Sequence, residues 1–146
     1  MKWITRSHVH VDRVACPWLI TRFVDSEAEF LFVPSGQPEW TARETGAIPF
    51  DAPGVELGHG SDGRCSFESI ILRYGLKEPG LLGFAKIVHA ATVSEDTDKD
   101  PIARGLEAIA SGYSLRYRKD EENLAHQLEV YDALYAWCGL EVAKQD

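Results

Sequence analysis

Prolines crowd the start of this chain, and their distribution constrains the fold more than any other feature. Of the seven prolines, five lie within the first 53 residues: Pro17, Pro34, Pro38, Pro49 and Pro53. Proline lacks an amide hydrogen and interrupts both helix interiors and central strands. We therefore expect short strands, turns and one helix in the N-terminal half, and a mostly helical C-terminal half.

Short apolar stretches in the N-terminal half predict strands at residues 2–6, 29–33, 48–51 and 55–59. Between the first two, an apolar stripe at helical spacing predicts a helix over Asp12–Asp25. Its start is open to two interpretations. Either Asp12 is the N-cap, or Cys16 is the N-cap and Pro17 takes the first helical position, where its missing amide hydrogen costs nothing.

Helical patterns dominate the rest of the chain. The predicted segments are Ser66–Tyr74, Pro79–Ala91, a helix starting at Pro101 with Asp100 as N-cap, and Glu121–Trp137, ended by Gly139. A charged loop over residues 94–100 separates two of them. The sequence thus predicts a helix-dominated α+β fold: one domain over residues 1–146, with a small N-terminal sheet packed against about five or six helices.

Charge and cysteine content narrow the classes of function. The chain carries 15 Lys and Arg against 23 Asp and Glu, a net charge of −8. This balance argues against nucleic acid as a partner, because binding to phosphates needs clustered basic residues. No stretch approaches the roughly 18 apolar residues of a membrane span. Three cysteines, an odd number, fit a reducing compartment, so a cytoplasmic location is expected.

Two cysteines are candidates for catalysis. Cys16 would feel the positive end of a helix dipole if it starts a helix, and Arg13 lies near it in sequence; both effects favour a thiolate nucleophile or redox centre. Cys65 precedes another predicted helix. The alternative is that Cys16 is a small buried apolar residue, as free cysteines usually are, and that Cys65 belongs to a capped helix after a flexible loop.

A metal site and an oxyanion site are also conceivable. His59, Glu68 and His89 could converge as three ligands of a divalent metal such as zinc, leaving one coordination position open. Alternatively, His59 is solvated and His89 is a hydrogen-bonded core residue. For an oxyanion, guanidinium forks and a helix start are the expected partners, here Arg13, Arg22, Arg64 and Ser66. The alternative is that these arginines pair with surface carboxylates such as Asp12 or Asp25.

Six blocks of sequence resemble the C-terminal domain family of the bacterial chromate resistance protein ChrB. They occur in the family's order, at Val11–Ile20, Glu29–Pro34, Pro49–Asp51, Gly54–His59, Cys65–Glu68 and Tyr131–Ala136. The resemblance implies a link to chromate resistance. Longer family members look like chromate-responsive regulators of an efflux transporter and carry an additional N-terminal region.

Three hypotheses follow. The first is a ligand-binding domain for chromate or a metal ion, with Arg13, His59 and His89 around one shared cleft. The second is an enzyme, either a thiol redox centre at Cys16 or Cys65 that reduces chromate or a hydrolytic metal centre. The third is an interaction module that forms a homodimer through exposed aromatic residues such as Tyr117 and Trp137.

Overall fold

A three-stranded parallel sheet forms from the N-terminal half of the chain in the computed structural model, which describes residues 1–145. The strands are β1 (Lys2–Arg6), β2 (Glu29–Val33) and β3 (Ile48–Pro49), and they lie in the order β2-β1-β3. Ile4 of β1 pairs with Leu31 on one side and with Pro49 on the other. Because both pairings are parallel, the carboxyl ends of β1 and β3 meet at one edge of the sheet.

Helices make up most of the remaining described residues. In chain order they are α1 (Asp12–Phe23), α2 (Pro38–Thr45), α3 (Ser66–Tyr74), α4 (Pro79–Thr92), a 3₁₀ helix (Ser94–Lys99), α5 (Pro101–Arg116) and α6 (Asp120–Gln145). The prediction of a helix-dominated α+β fold with a small N-terminal sheet is confirmed. Asp100 also caps α5 as predicted, since its carboxylate accepts the amide hydrogen of Ile102.

The core is an aromatic stack that joins four helices. Trp18 of α1 lies parallel to Phe84 of α4 with ring centroids 4.9 Å apart, and Phe84 stacks in turn on Phe67 of α3 at 5.5 Å. Tyr131 of α6 packs on Phe84 from another side. All four rings are at most 1% exposed. This stack fixes α1 and α3, whose first turns carry the polar groups described below.

Helix α1 begins at Asp12, four residues before Cys16, which one interpretation of the sequence placed at the helix N-cap. Val11 is the N-cap, and its carbonyl accepts the amide hydrogen of Ala15 at 2.8 Å. Pro17 therefore lies inside the helix, and the placement of Cys16 at a helix N-terminus is wrong. Asp12 is the first helical residue and not the cap, and its carboxylate is free for tertiary contacts.

The predicted strand at residues 55–59 is not formed. Only Leu57 pairs with the sheet, through an isolated bridge to Phe50. Asp51 lies between them in the left-handed region at φ 46°, which turns the chain out of the extended conformation. The residues on either side of Leu57 are therefore a loop folded back over the sheet edge.

Helix α6 continues past Gly139 to Gln145, so the predicted stop at Gly139 is wrong. A Cβ atom built on Gly80 of α4 would lie 3.4 Å from the Cα of Gly139. Gly80 thus lets α4 approach α6 closely, whereas a Cβ atom on Gly139 would meet nothing within 4 Å. The charged segment at residues 94–100 also differs from expectation, since it forms the 3₁₀ helix.

The aromatic residues proposed for a homodimer have different environments. Tyr117 is half-buried and stacks on His126 with centroids 4.1 Å apart, whereas Trp137 is 42% exposed. The homodimer stays a prediction. Among the described helices, none combines the length and apolar character that a membrane crossing requires.

Candidate functional site

A fully buried carboxylate, Asp51, lies two residues after β3 at the carboxyl edge of the sheet. Its Oδ1 accepts a 2.5 Å hydrogen bond from the Ser66 hydroxyl. Its Oδ2 accepts from Nη1 of Arg13 at 3.2 Å and from Nη2 of Arg6 at 3.4 Å. Together with Asp12 and His59, these residues form what we call the Asp51 cluster.

Both arginines are also held by backbone carbonyls. Nε of Arg6 donates to the Asp51 carbonyl at 3.0 Å, and Nη2 of Arg13 donates to the His8 carbonyl at 2.8 Å. One donor is left over: Nε of Arg13 is buried and has no hydrogen-bond partner among the described residues. Such orphan donors are rare in folded proteins and call for an explanation.

His59 and Asp12 complete the cluster on its solvent side. Nε2 of His59 lies 3.5 Å from Oδ2 of Asp12 and 3.8 Å from Oδ1 of Asp51. The His59 side chain is 44% exposed, whereas that of Asp12 is 13% exposed. The cluster is therefore accessible to solvent at His59 and buried at Asp51.

Burial and mutual repulsion separate the acidities of the two carboxyl groups. Burial, followed by the charge of Asp12, raises the pKa of Asp51 to about 6. Burial opposes ionisation of Asp12 as well, but hydrogen bonds with His59 and Asp51 lower the pKa of Asp12 below its usual value. The hydrogen bond to Asp12 in turn raises the pKa of His59. The solvent side of the cluster thus combines the His59 imidazole, whose pKa is raised, with the Asp12 carboxylate, whose pKa is lowered, beside the two guanidinium groups.

The chain builds this cluster from the loop that carries His59 and from four segments that end or begin at one sheet edge. Arg6 ends β1, Asp12 and Arg13 open α1, Asp51 follows β3, and Ser66 opens α3. In open parallel sheets, ligands typically bind in the crevice beyond the carboxyl ends of the strands. The Asp51 cluster occupies that position.

The raised pKa of Asp51 predicts a pH dependence of stability. A carboxyl group whose pKa rises on folding from 3.8 to about 6 stabilises the folded state at low pH, and this stabilisation is lost as pH rises through that interval. Between about pH 5 and pH 7, the Asp51 contribution to the free energy of unfolding should fall by about 1 kcal/mol. Urea unfolding at a series of pH values measures it, and Asp51→Asn should flatten the slope. An equal slope in this variant would contradict the assignment.

A second polar group lies on the other side of the first turn of α3, and we call it the His89 cluster: Cys65, Glu68, His89 and Asp96. Nδ1 of His89 lies 2.6 Å from Oε1 of Glu68, and Nε2 lies 2.6 Å from Oδ2 of Asp96. Burial opposes protonation of His89, but the bonds to Asp96 and Glu68 raise its pKa. The donor atoms of Cys65, Glu68 and His89 all lie within 4.8 Å of one another.

The structure therefore divides the predicted site residues between two clusters. Arg13, His59 and Ser66 meet around Asp51, whereas Glu68 and His89 meet beside Cys65. The expectation that Arg13, His59 and His89 surround one cleft is not met, because Arg13 and His59 contact Asp51, whereas His89 contacts Glu68 and Asp96. His59 takes Asp12 as its neighbour instead of Glu68.

Two predicted oxyanion ligands lie outside both clusters. Arg22 forms two 2.9 Å hydrogen bonds with the carboxylate of Asp132 on α6. Arg64 pairs with Asp62 at 2.7 Å in the loop before α3. Both arginines thus pair with surface carboxylates, as the alternative interpretation proposes. Their partners are Asp132 and Asp62 and not Asp12 or Asp25.

Neither predicted catalytic cysteine has the environment of a reactive thiolate. Cys16 and Cys65 are both fully buried. Burial, followed by the negative charges of Asp51 and Asp12, raises the pKa of Cys16 well above its usual value. Burial raises the pKa of Cys65 to about 12. A thiolate at neutral pH, which the redox hypothesis needs, is disfavoured at both positions.

Sequence reasoning missed four cluster residues: Arg6, Asp12, Asp51 and Asp96. The local sequence around Asp12 indicates a helix cap, and the charged run around Asp96 indicates a loop. A usable signal existed for Arg6 and Asp51, because each is a charged residue at the carboxyl end of a predicted strand. No local pattern indicates that Asp96 folds back onto α4.

The sequence matches one protein-family model and a curated protein. A family model described as "ChrB, C-terminal domain" matches residues 3–138. Protein ChrB of Cupriavidus metallidurans is 36% identical over 137 residues, which cover 92% of this chain and 40% of that protein. The chain thus spans well under half of the length of this curated relative. No solved structure matches.

Proposed function

The chain belongs to the ChrB C-terminal domain family, and on that premise we propose that it binds a tetrahedral oxyanion, chromate above all, at the Asp51 cluster. Family membership supports an association with chromate resistance. A domain that senses or sequesters the anion in chromate resistance needs only reversible binding, and reversible binding needs no reactive thiol. A small inorganic ligand is thus the proposed partner.

One observation carries this proposal: two guanidinium groups and an imidazole surround one buried carboxylate, and one buried N–H of Arg13 has no partner among the described residues. Guanidinium forks suit oxyanions because they present several N–H groups in one plane. The buried, unpaired Nε of Arg13 is a donor that an entering anion can satisfy. Protonation of Asp51, with its pKa raised to about 6, removes the negative charge that competes for the arginines.

The same cluster is a poorer site for a cation. Asp12, Asp51 and His59 have donor atoms close enough to hold a metal ion. However, Arg6 and Arg13 place positive charge within 3.4 Å of Oδ2 of Asp51. A divalent cation bound to this carboxylate would face repulsion from both guanidinium groups. The charge balance therefore favours an anion.

Titration calorimetry of the full chain with chromate and with sulfate tests the proposal. Both His59→Gln and Arg13→Lys should weaken binding about tenfold or more, since hydrogen bonds to charged groups contribute about 1.5–3 kcal/mol. Arg22→Gln is the matched control, because Arg22 pairs with Asp132, and it should bind as the parent does.

His59 is 44% exposed, so its substitution does not endanger folding and keeps the test decisive if the arginine variant unfolds. Absence of binding by either anion at millimolar concentration would refute the proposal. An equal loss in Arg22→Gln would refute the location.

A further inference from the structure

The His89 cluster brings together sulfur, nitrogen and oxygen donors from three segments. Cys65 caps α3, Glu68 lies in the first turn of α3, and His89 lies in the last turn of α4. Sγ of Cys65, a carboxylate oxygen of Glu68 and a ring nitrogen of His89 lie within 4.8 Å of one another. Three such ligands are the number that a catalytic or exchangeable zinc site takes from the protein.

Asp96 gives His89 the orientation that a metal-binding imidazole has. The Asp96 carboxylate holds Nε2 at 2.6 Å, so Nδ1 is the nitrogen that faces Glu68 and Cys65. Metal-binding histidines almost always donate their second ring N–H to a carboxylate, a carbonyl or a water. Asp96 is itself fixed by Lys99 at 2.7 Å. It acts as a positioning residue and not as a ligand.

Cys65 is also held in place by α3. Its sulfur accepts the backbone N–H of Glu68, and its own N–H donates to Oε1 of Glu68 at 3.0 Å, which together form a capping box. A backbone N–H directed at sulfur stabilises a thiolate once a cation is bound. The capping box thus presents the sulfur and the carboxylate of this turn side by side.

We propose that Cys65, Glu68 and His89 bind one divalent metal ion of the zinc class, with Asp96 orienting His89. The mixed thiolate, imidazole and carboxylate set suits a borderline-soft ion and disfavours Mg²⁺ or Ca²⁺, which prefer oxygen alone. A surface cavity of about 320 Å³ reaches Glu68 and His89, and it gives the ion an entry path and room for a fourth ligand.

An alternative account makes His89 the centre of an ion triad with Glu68 and Asp96. That triad needs no sulfur, so direct metal–sulfur bonding separates the two accounts. The proposal is also independent of the oxyanion site, because the Asp51 cluster shares no side chain with these four residues.

Titration of the full chain, purified without a histidine tag, with Co²⁺ and then Zn²⁺ tests the proposal. Co²⁺ should bind one ion per chain and give the intense near-ultraviolet sulfur-to-cobalt charge-transfer band, together with visible bands of a tetrahedral site. Zn²⁺ should then displace Co²⁺ and remove these bands. The spectrum of the parent protein is decisive even if a variant fails to fold.

Variants then assign the ligands. Cys65→Ser should abolish the charge-transfer band, and Asp96→Asn should weaken Zn²⁺ binding about 10- to 100-fold while leaving the band in place. Cys138→Ser is the matched control, since Cys138 is also a buried free cysteine but lies on α6, and it should change neither. No Co²⁺ or Zn²⁺ binding at micromolar protein, a cobalt complex without the sulfur band, or an equal loss in Cys138→Ser would each overturn the proposal.

Discussion

Asp51→Ala is expected to lower the free energy of unfolding by about 1–3 kcal/mol, because it removes the buried acceptor of three hydrogen bonds. Arg13 and Arg6 then keep their charges at the sheet edge without the carboxylate that faces them. The Ser66 hydroxyl also loses its acceptor, although it remains fully buried. Urea unfolding of the variant and the parent protein at neutral pH measures the difference.

Two further variants show whether the effect belongs to this position. Asp51→Asn tolerates the left-handed φ of 46° and keeps an acceptor for Ser66, so its cost should be smaller. Asp62→Ala removes a carboxylate that is 55% exposed and pairs with Arg64, and it should cost less than about 1 kcal/mol. If Asp51→Ala cost no more than Asp62→Ala, Asp51 would not anchor the cluster.

Elements with strong local signals could be predicted from the sequence. Lys2–Arg6 and Glu29–Val33 have the expected strand bounds, and Ser66–Tyr74 has the expected helix bounds. The errors occur where tertiary contacts override a local signal. Gly139 is a plausible helix stop by itself, but Gly80 lies against it and the helix continues. Residues 55–59 have a strand-like composition, but the backbone turn at Asp51 leaves only Leu57 paired.

The candidate site could be predicted only in part, because its residues come from distant segments. The residue types were sufficient to select Arg13, His59, Glu68 and His89. The sequence could not show that these residues divide into two clusters. Which groups meet depends on the sheet order and on the packing of α3 against α1, and neither leaves a local pattern.

Some sequence blocks that carry the family resemblance meet in the folded chain. Trp18 lies in the block Val11–Ile20, and Asp132 lies in the block Tyr131–Ala136. Nε1 of Trp18 donates to Oδ1 of Asp132 at 2.7 Å. The hydroxyl of Tyr131 donates to the Val11 carbonyl at 3.3 Å. These contacts hold α6 against α1 and support the helix that presents Asp12 and Arg13.

Trp18→Ala should therefore destabilise the chain by about 3–5 kcal/mol, the usual cost of removing a large buried aromatic side chain. Trp18 is 1% exposed, stacks on Phe84, and binds Asp132 through its indole N–H. Trp18→Phe keeps a ring in the stack and should cost less.

Trp40→Ala is the matched control. Trp40 is 59% exposed on α2, so its loss should change the free energy of unfolding by less than about 1 kcal/mol. Urea unfolding followed by far-ultraviolet circular dichroism compares all three variants, since tryptophan fluorescence changes with the substitutions themselves. Equal costs for Trp18→Ala and Trp40→Ala would show that the aromatic stack does not hold α1. The position of Arg13 would then need another support, because α1 carries it to the Asp51 cluster.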